Sequence, residues 1–579
     1  MGQIEQGVWD VQRAQAAGME NGQEMNVPGA GGMQPGNMGP GGMGNGCPPM
    51  VYIPVQKPEP AQTQETRLLK ENYGRIAPAA FLYACIYAFC MYRNGSGVTF
   101  PFFLGSGLLF FCFCISKLGI TLKKGSFFYM GAIVLLGVST FCTDDGRIIF
   151  FNKLGIFLLM MSLMLKQYYD TSGWKLGKFL GSICVLASFS IAELGRPFTD
   201  GTAYMKNRTK KTDRRILSAA LGMLIGLPLV LVVLLLLASA DAVFREMTYD
   251  LLKALSLGAI LNVMFRIALL FFTTYALVAC LCKKQMSEKV VDRRRGEPVL
   301  AITVTGLLTV LYLWFSGIQI VGLFLGKLQL PADYTYAMYA REGFFQLLAV
   351  SFLNLVIVLA ALSYFRESKI LKGVLTVMSL CTFIMIASSA MRMIIYIQYY
   401  YLTFLRILVL WCLLLLAVLF LGVVVNIFKG SFPLFKYSCA VVTVLYLALS
   451  FAHPDYIIAK VNVGNIASVD ENFFKTSAPY HDFVYLSGLS ADAAPALIPF
   501  MEETGYCMEA FDADNPVSYA RETGAMGTDQ SSRGTDRFSR YEKEGFGYYW
   551  MANMKRGTQN FGLRTYNVSR HRMLRGFGR

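Results

Sequence analysis

Long runs of apolar side chains, separated by short charged segments, recur from about Ile76 to Phe451. Each run is close to the ~20 residues that a helix needs to cross the hydrocarbon of a bilayer. A barrel strand would alternate apolar and polar positions, and these runs do not alternate. Only helices and closed barrels satisfy their backbone groups in lipid, so the runs predict membrane-spanning helices. A first group covers 76–92, 98–116, 126–142, 148–165 and 178–194. A second covers 216–238, 256–282, 299–326, 343–365, 370–391, 403–428 and 434–452. The fold class expected is an all-α integral membrane protein, a bundle of about 11 or 12 transmembrane helices.

The flanks of these runs divide the chain further. Residues 1–75 form a tail rich in Gly, Met and Pro between Val27 and Pro49, a composition that cannot offset its own ordering entropy and predicts disorder. No apolar core of a signal peptide occurs in the first 50 residues. The first transmembrane group occupies 76–195, a basic loop 196–215, and the second group 216–452. After His453, Asp, Glu, Asn and Ser return, and residues 453–579 predict a small, mainly helical soluble domain.

Orientation follows from the cations, because short cytoplasmic loops collect Lys and Arg. Four loops stand two spans apart: 196–215, 283–297 with its Arg293-Arg294-Arg295 run, the one with Arg366, Lys369 and Lys372, and the one with Lys429 and Lys436. All four fit the cytoplasm, which puts 239–254, 327–342, 392–402 and everything after Ala452 outside. Lys117, Lys123 and Lys124, then Lys166, Lys175 and Lys178, favour a cytoplasmic N-terminus. That parity requires one of 76–92, 148–165 and 178–194 not to span, and eleven spans are expected.

Composition agrees. The chain has 579 residues, 55% hydrophobic and only 16% charged, and a mean hydropathy of +0.45. Soluble domains carry roughly a quarter charged residues. The net charge of +16 sits in the loops, where anionic lipid headgroups are the expected partner. No nucleic-acid motif accompanies it, so nucleic acid is excluded as a partner. Of the 13 Cys, only Cys47 and Cys507 lie in polar segments, so no disulfide framework is implied. With three His and no HExxH, GxSxG or dinucleotide fingerprint, no metal, cofactor or catalytic set is expected.

Polar groups inside spans are expensive and mark candidate sites. Arg266 and Asn262, four apart, share a helix face and suit either an anion or proton path or a structural bond. Gln319 and Asn354 suit hydrogen bonds between helices. On the outer face, Asp241, Asp333, Tyr339, Arg341, Glu342 and Arg392 converge in the loops, as a pocket for a polar or sugar-like ligand or as an aromatic belt and docking surface. Gly222 and Gly226 form a GxxxG that permits close helix packing.

Several motifs bear a family resemblance. Tyr339-Ala-Arg341-Glu342-Gly343-Phe344-Phe345-Gln346-Leu347, the preceding Leu330-Pro-Ala-Asp-Tyr-Thr-Tyr, Ser239-Ala240-Asp241, Ser490-Ala-Asp492-Ala-Ala-Pro495-Ala-Leu497, and Arg564-Thr-Tyr566-Asn567-Val-Ser569-Arg570 carry it. Together they resemble a bacterial multi-pass membrane family filed as domain of unknown function four-one-seven-three, over about 214–575. Ala242 stands where that family often has Pro. The resemblance implies a plasma-membrane protein and no particular activity. The function expected is a transport or export component of the plasma membrane; the alternatives are an envelope sensor or assembly factor whose outer domain meets a ligand or protein partner, and a membrane-embedded transferase on lipid-linked substrates.

Overall fold

The computed structural model describes residues 63–171, 173–174, 176–207, 257–284, 296–321, 343–467, 485–504 and 562–576, with isolated positions between these stretches. Among them there is no strand, only one isolated bridge between Gly296 and Phe365. The helices are α1 (Gln64–Glu71), α2 (Tyr73–Met91), α3 (Thr99–Lys117), α4 (Ser126–Cys142), α5 (Gly146–Tyr168), α6 (Leu176–Ala192), α7 (Arg196–Asn207) and α8 (Leu257–Lys283). They continue as α9 (Pro298–Gln319), α10 (Phe344–Tyr364), α11 (Lys369–Tyr400), α12 (Phe404–Phe428), α13 (Leu434–Phe451), α14 (Pro454–Ala467), α15 (Ala494–Thr504) and α16 (Val568–Gly576).

Nine of the described helices are long and apolar enough to cross a membrane: α2, α3, α5 and α8–α13. The 17-residue α4 is slightly shorter. The span expected at 216–238 lies outside the described residues apart from isolated positions. Side chains pointing away from the bundle are apolar and exposed, as in Phe102, Leu109, Leu307 and Trp314, which suits a lipid solvent.

Local signals set the helix ends. The Asp145 side chain caps α5 by accepting from the Arg147 amide at 2.9 Å. Pro298 opens α9, where its missing N–H costs nothing. By contrast, α11 runs on to Tyr400, past the expected boundary at 391, since no Gly or Pro stands between Met391 and Tyr400. Arg392, expected in an outer loop, is therefore a helical residue.

Two apolar clusters fill the bundle. One gathers α1–α6 and α8 around Ile76, Leu136, Leu163, Leu186 and Tyr275. The other gathers α9–α12 around Val358, Leu375, Met378 and Phe420. Between them, α13 packs on both α4 and α12. Buried polar groups bridge helices within this core. Asn152 donates to Thr140 Oγ1 at 3.1 Å and accepts from Ser450 at 2.7 Å and Tyr446 at 2.8 Å, joining α4, α5 and α13. Lys153, its neighbour, reaches toward Gly95 beyond the helix end, as a snorkelling lysine does.

The loops after α3, α5 and α12 meet at one end of the bundle: Gln167 accepts from the Lys123 amide at 3.2 Å, and Lys166 lies near Lys123 and Lys436. There α1 docks as well, with Thr63 Oγ1 donating to the Cys282 carbonyl at 2.5 Å and Lys284 pairing with Glu65 at 2.6 Å. Both ends of α6 touch this same end. Near its start, Trp174 lies 6.2 Å from the Tyr169 ring and Phe179 lies 4.7 Å from Phe435. Just past its end, Glu193 pairs with Lys283. The chain then bends by 58° into α7.

Close approach of α12 and α13 depends on Gly422. A Cβ there would fall 2.2 Å from the Tyr437 ring, whose hydroxyl donates to the Val418 carbonyl at 2.7 Å. We predict that Gly422→Val lowers stability by about 1–3 kcal/mol. The thermal midpoint in detergent should fall, and adding Tyr437→Ala should recover part of the loss. An unchanged midpoint would mean that the helices separate without cost.

Candidate functional site

Opposite the end that carries α1, described parts of the C-terminal segment fold back onto the bundle. Ile458, Leu486, Leu489, Ala493, Leu497, Met501, Trp550 and Met573 form an apolar cluster that also takes in Ile148, Leu402 and Phe404 from the bundle. The cap thus shares its core with the membrane helices.

Its polar seam is built on the turn between α4 and α5, Thr143-Asp144-Asp145-Gly146-Arg147. Asp492, on a 3₁₀ turn that leads into α15, is buried at the centre. It accepts from the Thr143 hydroxyl, from the Asp144 amide at 2.9 Å and from His453 Nδ1 at 3.4 Å. His453 separates α13 from α14 in the left-handed region, at φ 48°. Alongside, Arg570 Nε donates to Asp144 at 2.6 Å. Arg147 contacts Asp145 at 2.9 Å and Asp455 at 2.5 Å and lies over the Phe404 ring at 4.0 Å. Asp455 in turn accepts from the Ser490 amide at 2.9 Å.

Segment 564–569 stitches the seam to two loops at once. The Val98 amide donates to the Tyr566 carbonyl at 2.8 Å, and Asn94 donates to the Arg564 carbonyl at 3.1 Å. Asn567 donates to the Thr143 carbonyl at 2.8 Å, and Ser569 to the Cys142 carbonyl at 2.7 Å. A third loop joins through Asn462, which both donates to and accepts from Leu402, and through Tyr485, whose hydroxyl accepts from the Phe404 amide at 2.8 Å.

Electrostatics separate the carboxyls. Burial raises Asp492, but hydrogen bonds from His453, Thr143 and the Asp144 amide, among others, outweigh it and hold the group below the ordinary aspartate value. Asp144 and Asp455 are pushed upward, mainly by burial, in spite of Arg570 and Arg147. No group of three or more potential metal ligands occurs among the described residues. Donors surround these carboxylates, and the arrangement suits a clasp between cap and bundle.

The residues singled out from sequence lie elsewhere. Arg266 donates to Asn262 at 2.6 Å along α8, on a face away from the described bundle interior. Asn354 accepts from Tyr312 at 2.9 Å and donates to Thr382 at 3.0 Å, linking α9, α10 and α11. Gln319 accepts from Ser388 at 2.7 Å and from Arg392 at 3.3 Å, so an expected intramembrane residue and an expected outer-face residue meet. Gly343 lies against Arg392: its φ is +96°, and a Cβ there would sit 2.9 Å from the guanidinium. Asp241 is exposed and accepts from the Phe244 amide at 2.7 Å. Asp333, Tyr339, Arg341 and Glu342 lie outside the described residues.

Sequence reading did not select Asp144, Asp145, Arg147, His453 or Asp455. The signal available was three charged residues packed into a five-residue gap between two apolar runs, without the lysines of a cytoplasmic loop. Asp492, Asn567 and Arg570 did stand in the motifs of the family resemblance, and the fold brings those distant motifs together.

Fold and clasp define a polytopic helical membrane protein whose C-terminal cap is joined to its bundle. The chain belongs to the family described as domain of unknown function (DUF4153), which it matches over residues 130–500. The match carries that number rather than four-one-seven-three. It begins within α4, so much of the first helix group belongs to the family after all, and it stops before the Arg564–Arg570 motif. Comparison with curated proteins and with solved structures finds no match.

Two predictions follow the seam. Asp492→Ala should lower stability by about 3 kcal/mol, because several buried donors lose their charged acceptor. A thermal midpoint equal to that of the native chain would remove Asp492 from the clasp. Acid should act in two phases. Since Asp144 and Asp455 sit above the ordinary value of 3.8, their contribution is fully present below it and declines as pH rises through their folded values. Asp492 sits below 3.8, so its contribution is present above that value and disappears as pH falls through the lower folded one. Melting midpoints should hold or rise from pH 7 to about 5, then fall below about 4. The acid fall should be shallower in Asp492→Ala, where the salt-bridged Glu65, Glu193 and Glu367, also held below the ordinary glutamate value, still contribute.

Proposed function

We propose that this chain is an envelope sensor or assembly factor of the bacterial plasma membrane, in which the outer cap meets a ligand or protein partner and the clasp transmits that state to the helices. The observation that carries this reading is the seam around Asp492: one buried carboxylate ties the cap to the α4–α5 turn and to His453, while neighbouring bonds engage two more loops. A cap so attached cannot shift without disturbing helix ends. In this reading the N-terminus is cytoplasmic, the cap is extracytoplasmic, and anionic lipids meet the basic loops.

Transport or export is the second reading, and the Arg266–Asn262 pair in the middle of α8 favours it. The two separate in one complementation series. In cells lacking the gene, a chain truncated after Ala452 and the Asp492→Ala chain should both reach the membrane yet leave the envelope defect of the deletion strain, whereas Arg266→Ala should restore growth. Full complementation by the truncated chain would end the sensor reading, and failure of Arg266→Ala alone would shift support to transport. Orientation is checked separately with an impermeant maleimide on whole cells. Leu563→Cys, 93% exposed, should label and Lys284→Cys should not, and the reverse pattern inverts the topology.

A further inference from the structure

Helix α6 reads in sequence as a membrane span, with no charged residue between Lys178 and Glu193. Its contacts do not suit one. A spanning helix of 17 residues separates its ends by about 25 Å across the bilayer. Here the start meets Tyr169 and Phe435, the end meets Lys283, and all three partners belong to the end of the bundle that carries α1. One stripe of α6, Phe179, Ser182, Ile183 and Leu186, is buried against the bundle. Leu180, Cys184, Val185, Phe189 and Ile191 are exposed.

That exposed apolar face would be costly in water, which leaves lipid as its solvent. The charge around it indicates which lipid. Lys166 lies near both Lys123 and Lys436, and Lys178 stands in the first turn of α6. Such a cluster is complementary to anionic headgroups.

We infer that α6 is an interfacial helix seated in a single leaflet, with its exposed face in the acyl chains and anionic lipid headgroups against the lysines at its end of the bundle. The cap and α1 already lie at opposite ends of the bundle, and α6 starts and finishes at the α1 end. The apolar run at 216–238 is then the one available between Asn207 and Leu257 to carry the chain across, giving eleven spans.

The experiment measures depth. A fluorophore is placed at Leu180→Cys, at native Cys184 or at Ile191→Cys, with the other cysteines replaced, in vesicles of phosphatidylcholine and phosphatidylglycerol. Quenchers sit on headgroups or along acyl chains. The three positions should report one depth, whereas a span would separate Leu180 from Ile191 by about 16 Å. A depth gradient of that size overturns the inference. Headgroup-quencher phosphatidylglycerol should also quench at least about twofold more strongly than the phosphatidylcholine equivalent, and equal quenching overturns the choice of anionic lipid. If the cysteine-depleted chain does not fold, a fluorescent amino acid at the same positions in the otherwise native chain provides the same reading. Neither result depends on what the cap binds.

Discussion

Hydrocarbon offers a polar group nothing to bond to, and the placement of polar side chains in this protein follows from that constraint. Asn152, Asn354 and Gln319 are buried and have protein partners on neighbouring helices. Each such bond is worth only about 0.6 kcal/mol on average in membrane helices. Its effect on specificity is larger, because a rotated or slipped helix would strand the amide in lipid. Asn152 alone fixes α4, α5 and α13 relative to one another, and α13 is the helix that joins the two apolar clusters.

At the membrane surface the constraint relaxes, and charge reappears. Arg147, Asp145 and Asp455 meet where α5 leaves the apolar core, and Glu193, Arg196 and Lys283 meet at the opposite end. Exposed ion pairs contribute little. Asp145 and Asp455 are themselves buried but share a partly exposed Arg147, whereas the buried Asp492 takes donors from two parts of the bundle. The bundle and the cap therefore share their core and their polar seam, and the functional reading rests on that union.

Legibility in the sequence tracked how local each signal was. Spans were legible because an apolar run is a continuous feature, and α4 matches its expected bounds, residues 126 and 142. The extension of α11 to Tyr400 was not, because aromatic residues such as Tyr396 and Tyr399 read equally as an interfacial belt or as helix. The pairing of Arg266 with Asn262 was legible from four-residue spacing. Convergence of Thr143, Asp492 and Asn567 was not, since these residues stand hundreds of positions apart and no spacing links them. Nor could hydropathy tell α6 from a span: a helix lying in the interface and one crossing it need the same apolar side chains when the first also packs against protein.

The polar character of the seam bears on what it does. An apolar seam of similar area would hold the cap at least as firmly, because buried ion pairs repay their desolvation poorly. What charged and hydrogen-bonded groups add is register. Asp492 is satisfied only when Thr143, the Asp144 amide and His453 are all in place, and Arg570 reaches Asp144 in that same arrangement. Shifting the cap by one residue would leave several buried groups unpaired at once, which disfavours intermediate positions and sharpens the contrast between docked and undocked states. Of the two kinds of seam, the charged one suits a part that must report which state it occupies.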